Sequence, residues 1–518
     1  MSETMKDNKN EETPVPFEEA LERTGNGLYN ILLTATCALI LLAIGVDLLG
    51  FSLVVSAACD LNLTITQKGI LTSIPFIGIL LVSYFWGYIS DTKGRRFTLV
   101  LCMQVSFILS CICSISPNWL FLTFFKFLTV CFSCAANSAT YTLVGESCVQ
   151  RVRSKYMLLM TCLLLLSPAV AGVLTYPTLK LHFEAEIPWL GIVFRPWRLL
   201  IIVLALPSGL GAAAIYFFKE SPKFLANLQM KDEALEVMKS IYALNHRCNK
   251  EDFNIHALIL EEGSLKKHTS IFRSMFEQSA PLFRPPFLWR TLQLFYIVMV
   301  VYITNNGFLM WLPHILNLVR LSLESNSTSA GNICHLISTK LSEEDTNATL
   351  SGTNETVKIT PDVCLGTISE NVLLTLVVSQ AMYAFFNFLI SYLPNRRKMV
   401  IISVLCFSSL SGILLNVIPE PITSVIFFVG FMCTCLGMGI LASYFVDLYP
   451  TSYRGMVACL SIMVGRSSAF VGINLIGNLV FHHCQITFYL WSLLVFSSAV
   501  AAFFLPPDKS AEVTKLAV

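Results

Sequence analysis

Three charged side chains lie inside long apolar runs, where a charge is costly. They are Asp47 in "AIGVDLLGF", Lys126 in "TFFKFLTV" and Arg466 in "IMVGRSSAF". An ionised side chain at the centre of a membrane helix costs about 2.5–3.5 kcal/mol on insertion scales, so such a residue usually faces a partner or a water-filled cavity. Each of the three is therefore a candidate for coupling or for substrate binding within a membrane.

Depth along the helix separates the three charges. At a rise of 1.5 Å per residue, Asp47 lies about 25 Å from the inner end of its helix, and Lys126 lies about 30 Å from Glu146 at the inner end of its own. Arg466 lies about 18 Å from Arg454, near the membrane centre, where an anionic group of a substrate would suit it. The alternatives are a structural Asp47, a Lys126 that extends its ammonium to the headgroups, and an Arg466 bound to an internal acid or to backbone carbonyls.

Amide and phenol side chains inside the apolar runs are further candidates for a substrate cavity. Such groups orient a ligand without the cost of burying a charge. The alternative for each of them is a hydrogen bond between neighbouring helices. The candidates are Asn305, Asn306, Gln380, Tyr383, Asn387 and Tyr444.

The composition excludes a soluble protein. Of the 518 residues, 55% are hydrophobic and 13% are charged, and the mean hydropathy is +0.67. Soluble proteins average about 25% charged residues, so the solvent of most of this chain is lipid. The net charge of +2 gives no reason to expect a nucleic-acid partner.

Motifs of enzymes and pumps are missing from the sequence. It has no phosphate-binding loop, no "HExxH" and no nucleophile elbow. We therefore expect no enzyme activity, no cofactor and no metal, since the short cluster of His482, His483 and Cys484 is a weak metal signal.

Twelve apolar stretches approach the roughly 20 residues that cross a bilayer, which predicts an all-α membrane protein. They lie near 31–56, 69–90, 97–116, 119–144, 156–178, 197–218, 288–311, 371–393, 398–417, 424–446, 455–478 and 486–505.

The basic residues orient these spans. If both termini lie on the same side of the membrane, most of the 35 lysines and arginines lie on that side as well. Basic residues concentrate on the cytoplasmic side, so both termini are predicted to be cytoplasmic. The predicted segments are a cytoplasmic tail (1–30), a six-helix half (31–218), a cytoplasmic linker with amphipathic helices (219–287), a second six-helix half (288–505) that includes a glycosylated outer loop (312–370), and a cytoplasmic tail (506–518).

The outer loop carries its own signals. Its triplets "NST", "NAT" and "NET" predict N-glycans on Asn326, Asn347 and Asn354, which form only on the lumenal or extracellular face. Cys334 and Cys364 share this loop and are a candidate disulfide. Most other cysteines lie in apolar runs, as expected of small core residues.

Charged landmarks repeat along the chain. The number of residues from Arg95 to Arg396 equals the number from Glu146 to Asp447. The same number separates Arg153 from Arg454. Each landmark closes or opens an apolar stretch on the inner side. Equal offsets indicate two duplicated halves, the layout of carriers with a central site between repeats.

These motifs resemble those of the major facilitator superfamily. "GYISDTKGRR" is similar to its loop pattern between spans two and three, and "GESCVQRVR", "DLYPTSYRG" and "ESPKFL" are similar to patterns of sugar porters. "FEEALERTGNGLYN" resembles the lead-in of synaptic vesicle glycoprotein 2-like carriers, near the organic cation and anion transporters. The residues that carry these patterns are Gly87, Asp91, Gly94, Arg95, Arg96, Glu146, Arg153, Glu220, Asp447 and Arg454.

The resemblance implies specific contacts. Asp91 would face the N-terminus of span eleven and Arg95 would meet Glu146, as a latch on the cytoplasmic face. Spans one and four would be neighbours, so that Asp47 and Lys126 form a proton-exchanging pair. The alternative for the motif loop is a solvated segment that only sets topology.

The sequence thus predicts a secondary active transporter of a small organic solute, an organic ion or a sugar-like molecule, that works by alternating access with protons as candidate coupling ions. The alternative is a non-transporting vesicle or surface glycoprotein that acts through protein interactions, which the atypical Thr92, Val149 and Tyr392 favour. The duplicated gating motifs argue against a channel. We expect a multi-pass monomer with membrane lipid as its solvent, in the plasma membrane or an intracellular vesicle membrane.

Glycan attachment tests the side assigned to the outer loop. We expect an N-glycosidase to lower the apparent mass of protein made in eukaryotic cells, but not that of a variant carrying Asn326→Gln, Asn347→Gln and Asn354→Gln. The matched control is Asn62→Gln, because the "NLT" triplet at Asn62 lies too close to the first span for glycan transfer. A wild-type protein whose mass is unchanged by the enzyme would contradict the assignment.

Overall fold

The structure is a computed structural model that describes residues 15–255, 257–259, 280–285, 287–325, 331–338, 368–390, 396–449 and 451–506. Several predictions lie outside this description. They are the three glycan acceptors Asn326, Asn347 and Asn354, the thiol of Cys364, and the side chains of Asp447 and Arg454.

Helices long and apolar enough to cross a membrane dominate the described residues. There are 11 of them, or 12 if one bent pair counts as a single span. In the first half, spans 1 to 6 are Leu28–Ala57, Ile65–Lys93, Arg95–Ser114, Trp119–Ser147, the pair Gln150–Leu165 and Ser167–Leu179, and Pro196–Tyr216. In the second half, spans 7 to 12 are Leu288–Ser325, Glu370–Ile390, Arg397–Val417, the consecutive helices Pro421–Phe431, Met432–Cys435 and Leu436–Leu448 (together span 10), Thr451–His482 and Cys484–Phe503.

Local sequence explains several span boundaries. Thr64 and Gln67 form a reciprocal capping box at the start of span 2, which satisfies backbone donors there. Proline opens spans 6 and 10 at Pro196 and Pro421, where its missing N–H costs nothing. Gly94 separates spans 2 and 3 with φ of 110°, a backbone conformation that other residues rarely adopt.

The two halves pack their helices in the same way. In the first half span 1 packs on spans 5 and 6, and span 3 packs on span 6. In the second half span 7 packs on spans 11 and 12, and span 9 packs on span 12. Span 2 meets span 11, and span 5 meets span 8, so these pairs form the seam between the halves.

Two names describe the ends of the bundle. The basic end holds Arg95, Arg96 and Arg153. The loop end is the opposite one, where a hairpin of strands Ala185–Ile187 and Ile192–Phe194 joins spans 5 and 6, and where residues 331–338 lie.

A small layer covers the basic end of the first half. Strand Val15–Pro16 pairs in parallel with Leu258–Ile259, and helix Phe17–Arg23 packs near the amphipathic helix Lys231–His246. The second helix buries one apolar face, which includes Val237, Met238 and Ile241. The described part of the predicted 1–30 tail is therefore packed structure, because Phe17, Ala20 and Leu21 share one buried face at helical spacing.

Span 7 is longer than the sequence predicted. It continues from Leu288 to Ser325, past the expected end at 311 and past Pro313. Its extension buries Ile315, Leu316 and Val319, so this stretch contributes to the core and not to an outer loop. The predicted 312–370 loop is shorter by that helical segment.

The predicted disulfide partner of Cys334 was wrong. Cys334 is bonded to Cys484, with the two Cα atoms 5.4 Å apart. The cause is the fold of residues 331–338 over the loop end of the second half, where Asn332 donates to the Asn416 carbonyl and Asn416 donates to the Gln485 carbonyl. Because Cys484 is in this bond, it does not complete a metal site with His482 and His483.

Loss of this disulfide should destabilise the loop end of the second half. We expect Cys484→Ser to lower the thermal unfolding midpoint by several degrees, because removing a native disulfide typically costs about 2–5 kcal/mol. Cys406→Ser is the matched control, since Cys406 is a free and exposed thiol. Peptide mapping without reductant should recover a Cys334–Cys484 cross-linked fragment, and a free Cys484 in that map would contradict the pairing.

Candidate functional site

Asp47 of span 1 and Lys126 of span 4 form a buried ion pair. The Lys126 Nζ atom lies 2.8 Å from Asp47 Oδ1 and donates to the Asp47 carbonyl at 2.8 Å. The two residues are 4% and 1% exposed, and the ammonium also lies 4.5 Å from the ring centroid of Phe51. Lys126 therefore does not snorkel to the headgroups. The second oxygen of Asp47 has no hydrogen-bond partner in the described structure.

Arg466 lies at the seam between the halves. Its guanidinium carbon is 5.6 Å from the ring centroid of Phe76, which belongs to span 2. Its Nε atom is buried and has no hydrogen-bond partner, and among the described residues no carboxylate pairs with it. The internal salt bridge that was the alternative is thus absent from the described part of the chain. A cation in this position can bind an anionic group between the halves.

The neutral polar candidates separate into two groups. Asn306 donates to the Tyr302 carbonyl of its own helix, Tyr383 donates to the Val429 carbonyl of span 10, and Arg397 stacks over the Tyr444 ring. For these residues the contacts are those of helix packing within the second half. Asn305 and Gln380 are buried, and Asn387 is half-buried. For these three residues a role in lining the substrate cavity stays a prediction.

A polar network braces the basic end of the first half. Arg95 donates to Glu146 Oε1 at 3.2 Å and pairs with Asp91 at 3.1 Å. The Glu220 carboxylate accepts the backbone N–H groups of Arg95 and Arg96 at 2.8 and 3.0 Å, which caps the start of span 3. Ser221 donates to the second oxygen of Glu146.

The other motif residues surround this network. A Cβ at Gly94 would collide with the Glu220 carboxylate, so the cap requires glycine there, whereas no atom of the described residues crowds Gly87. Arg96 donates to the Tyr216 carbonyl at the end of span 6. The Asp91 side chain is 70% exposed, and its ion pair is with Arg95.

Arg153 contacts a residue that the sequence analysis missed. Its Nη2 atom lies 3.4 Å from Glu18 of the N-terminal helix. Nearby, Tyr156 donates to Asn26 at 2.7 Å, and Asn245 of the linker helix accepts from the Tyr29 backbone at 3.1 Å. The N-terminal segment thus ties span 5 to the linker; the resemblance of "FEEALERTGNGLYN" marked this segment in the sequence but did not indicate these contacts.

Several polar contacts between the halves lie at the loop end. Asn474 of span 11 donates to Ser73 of span 2 at 2.8 Å. Tyr176 of span 5 donates to Glu370 of span 8 at 2.9 Å, and Lys180 pairs with Glu370 at 3.5 Å. Sequence reasoning missed these residues, because nothing in the chain indicates which span ends face each other across the seam.

Toward the basic end the seam widens. Span 2 is mostly buried from Gly69 to Ile79, but its side chains from Leu81 to Lys93 are mostly exposed. A groove of about 1190 Å³ separates this part of span 2 from spans 7 and 11. In the described part of the chain the halves are therefore closed at the loop end and parted by this groove toward the basic end.

Two bundles of membrane helices that pack alike and meet at a seam define a membrane protein with the architecture of a two-half carrier. A family model, Major Facilitator Superfamily, matches residues 35–342. The chain belongs to that superfamily.

Named relatives support the subfamily resemblance. The chain is 26% identical to human synaptic vesicle glycoprotein 2C over 239 residues, which are 46% of this chain and 33% of that protein. It is 28% identical to the putative transporter svop-1 of Caenorhabditis elegans (44% of this chain, 41% of that one) and 26% identical to organic cation/carnitine transporter 7 of Arabidopsis thaliana (45% and 44%). The matched part thus spans less than half the length of each relative.

Solved structures share the whole architecture. The partially occluded inward-open xylose transporter XylE of E. coli superimposes with a TM-score of 0.63 at 11% identity, over 92% of this chain and 100% of that one. An inward-facing bacterial homologue of the human lysosomal transporter Spinster gives 0.55 at 12% identity, over 92% and 98%. Similarity at this level of identity establishes the fold.

The Glu220 cap should contribute measurably to stability. We expect Glu220→Ala to cost about 1–2 kcal/mol, because it leaves backbone donors at the start of span 3 without an acceptor. Glu236→Ala is the control, since Glu236 is an exposed acid of the linker helix whose pKa is lowered mainly by its hydrogen bond to Lys250. Thermal unfolding in detergent should separate the two variants, and equal midpoints would contradict the capping role.

Proposed function

We propose that this protein is a secondary carrier that moves a small organic solute across a membrane by alternating access. The observation that carries the proposal is the uneven seam, which is closed by polar contacts at the loop end and parted at the basic end. Two rigid bundles that rock about a central site would alternate between this arrangement and its opposite.

The basic end is the cytoplasmic one under this proposal. Lysines and arginines concentrate on the cytoplasmic side of membrane proteins, which would place both termini and the 219–287 linker there. The described arrangement is then the inward-open state of the cycle. It fits a plasma membrane or vesicle protein that works as a monomer and carries glycans on the opposite face.

Arg466 is the proposed contact for the solute. A half-buried guanidinium in the seam that has no ion pair among the described residues favours a solute that brings a carboxylate or another anionic group. Phe76 offers that solute an apolar surface beside the charge. The name of the Arabidopsis relative gives organic cations and carnitine as its substrates, and an organic ion is the class that we propose here.

Asp47 and Lys126 are the proposed coupling pair. Protonation of Asp47 would neutralise it and leave the Lys126 ammonium buried without a counter-charge. Breaking a buried pair in this way is strongly destabilising, so the protonated protein would favour whichever state rehydrates or re-pairs Lys126. Proton uptake and release at Asp47 would thereby bias the rocking equilibrium.

The proposed coupling role predicts that proton-driven accumulation of the solute can be lost while exchange of the solute is kept. In proteoliposomes, Asp47→Asn should remove the dependence of solute accumulation on an imposed proton gradient, while equilibrium exchange of the solute persists. Candidate solutes come from a thermal-shift screen of organic anions and cations, because a bound solute raises the unfolding midpoint. Arg466→Ala should instead abolish the thermal shift caused by anionic solutes.

Glu236→Gln, in the exposed part of the linker, is the control for both variants. A gradient-driven uptake that survives Asp47→Asn would contradict proton coupling through this pair. A protein that neither binds nor exchanges any solute of the panel would contradict the carrier itself and would favour the interaction protein.

A further inference from the structure

Three polar side chains from both halves meet at the loop end. Tyr176 and Lys180 lie one turn apart at the end of span 5, and Glu370 is the first residue of span 8. The Tyr176 hydroxyl donates to Glu370 Oε1 at 2.9 Å, and Lys180 Nζ lies 3.5 Å from Glu370 Oε2. Lys180 also donates to the Tyr176 hydroxyl and lies 4.1 Å from the centroid of its ring.

This cluster is accessible to water. The side chains of Lys180 and Glu370 are 59% and 65% exposed. The hydrogen bond to the Tyr176 hydroxyl, followed by the charge of Glu370, raises the pKa of Lys180, which therefore stays protonated. A cavity of about 250 Å³ adjoins the cluster, lined also by His182 and Ser369, so solvent lies against the interface.

Below the cluster the two halves make close apolar contact. Gly172 of span 5 lies so near span 8 that an added Cβ would meet Val377 at 2.7 Å and Leu376 at 2.9 Å. The polar cluster therefore closes the outer rim of a packed interface, and it must open before water can reach the seam from this side.

The position of this ion pair sets it apart from the others. Asp47–Lys126, Arg95–Glu146 and Arg198–Asp60 each lie within the first half and would move with it as one body. Among the ion pairs whose two residues are both described, Lys180–Glu370 joins the halves. A rocking motion that opens the loop end breaks this pair and leaves the others intact.

We propose that Tyr176, Lys180 and Glu370 form a breakable latch that holds the loop end closed, and that its opening is a required step before the central site faces the loop-end side. The proposal rests on the alternating-access function proposed above. An exposed ion pair suits this task, because it contributes little free energy and can therefore open and close without trapping the carrier.

A thiol reporter in the seam tests the latch. Ser73→Cys places a thiol at a fully buried position next to Asn474, where a membrane-impermeant reagent applied from the loop-end side reacts when that end opens. In this background, Lys180→Glu and Glu370→Lys should each raise the labelling rate about two- to fivefold, since each replaces an attraction by a repulsion. The combined Lys180→Glu/Glu370→Lys variant should return to the starting rate.

The linker pair Lys250–Glu236, which joins no spans, supplies the matched control through Glu236→Lys. Unchanged labelling in both single variants, or a combined variant that labels as fast as the single ones, would overturn the latch. Measurement of solute uptake in the same variants distinguishes failure of the latch proposal from failure of the carrier proposal. Altered labelling without any uptake would support the latch and contradict transport. Uptake with unchanged labelling would support transport and contradict the latch.

Discussion

A charge buried in a lipid-embedded bundle must be met by another charge or dipole, and this constraint organises the first half of the protein. Lys126 meets Asp47 between spans 4 and 1, Arg95 meets Glu146 at the basic end, and Arg198, which is 2% exposed, lies 3.4 Å from Asp60 at the loop end. Each pair ties two elements of the same half. The first half is therefore cross-braced at three depths, which is what a bundle needs if it is to move as one body.

The seam between the halves has a different chemistry. Its described polar contacts include a weak exposed ion pair, a hydrogen bond from Tyr176 to Glu370 and an amide-to-hydroxyl hydrogen bond at Ser73, with close packing at Gly172, and these lie toward the loop end. Arg466 faces the same seam without an acid beside it in the described structure. Strong braces inside a half and weak contacts across the seam are the two energy scales that alternating access requires.

The sequence predicted much of this because lipid leaves few alternatives: apolar stretches of span length must be helices, and buried charges must find partners. Arg95 and Glu146 were expected to meet by resemblance, and they do. Three features were not predicted from the sequence, because they depend on how distant segments face each other. Span 7 continues past Pro313 because its next residues pack, Cys334 finds Cys484 and not the neighbour in its own loop, and Glu370 finds Lys180 across the seam. No local pattern encodes such encounters.

Opposite movement of the two ends is the most direct test of this account. Spin labels at Leu120 and Ile422 report the loop end, and labels at Phe217 and Phe503 report the basic end; all four side chains are at least 60% exposed. Pulsed electron-electron distance measurements in proteoliposomes would compare the protein without and with a solute that raises its unfolding midpoint, in a background carrying Cys406→Ser. The account predicts that with the solute one population gains a longer loop-end distance and a shorter basic-end distance in equal proportion. Distances that stay fixed, or that lengthen together, would contradict it.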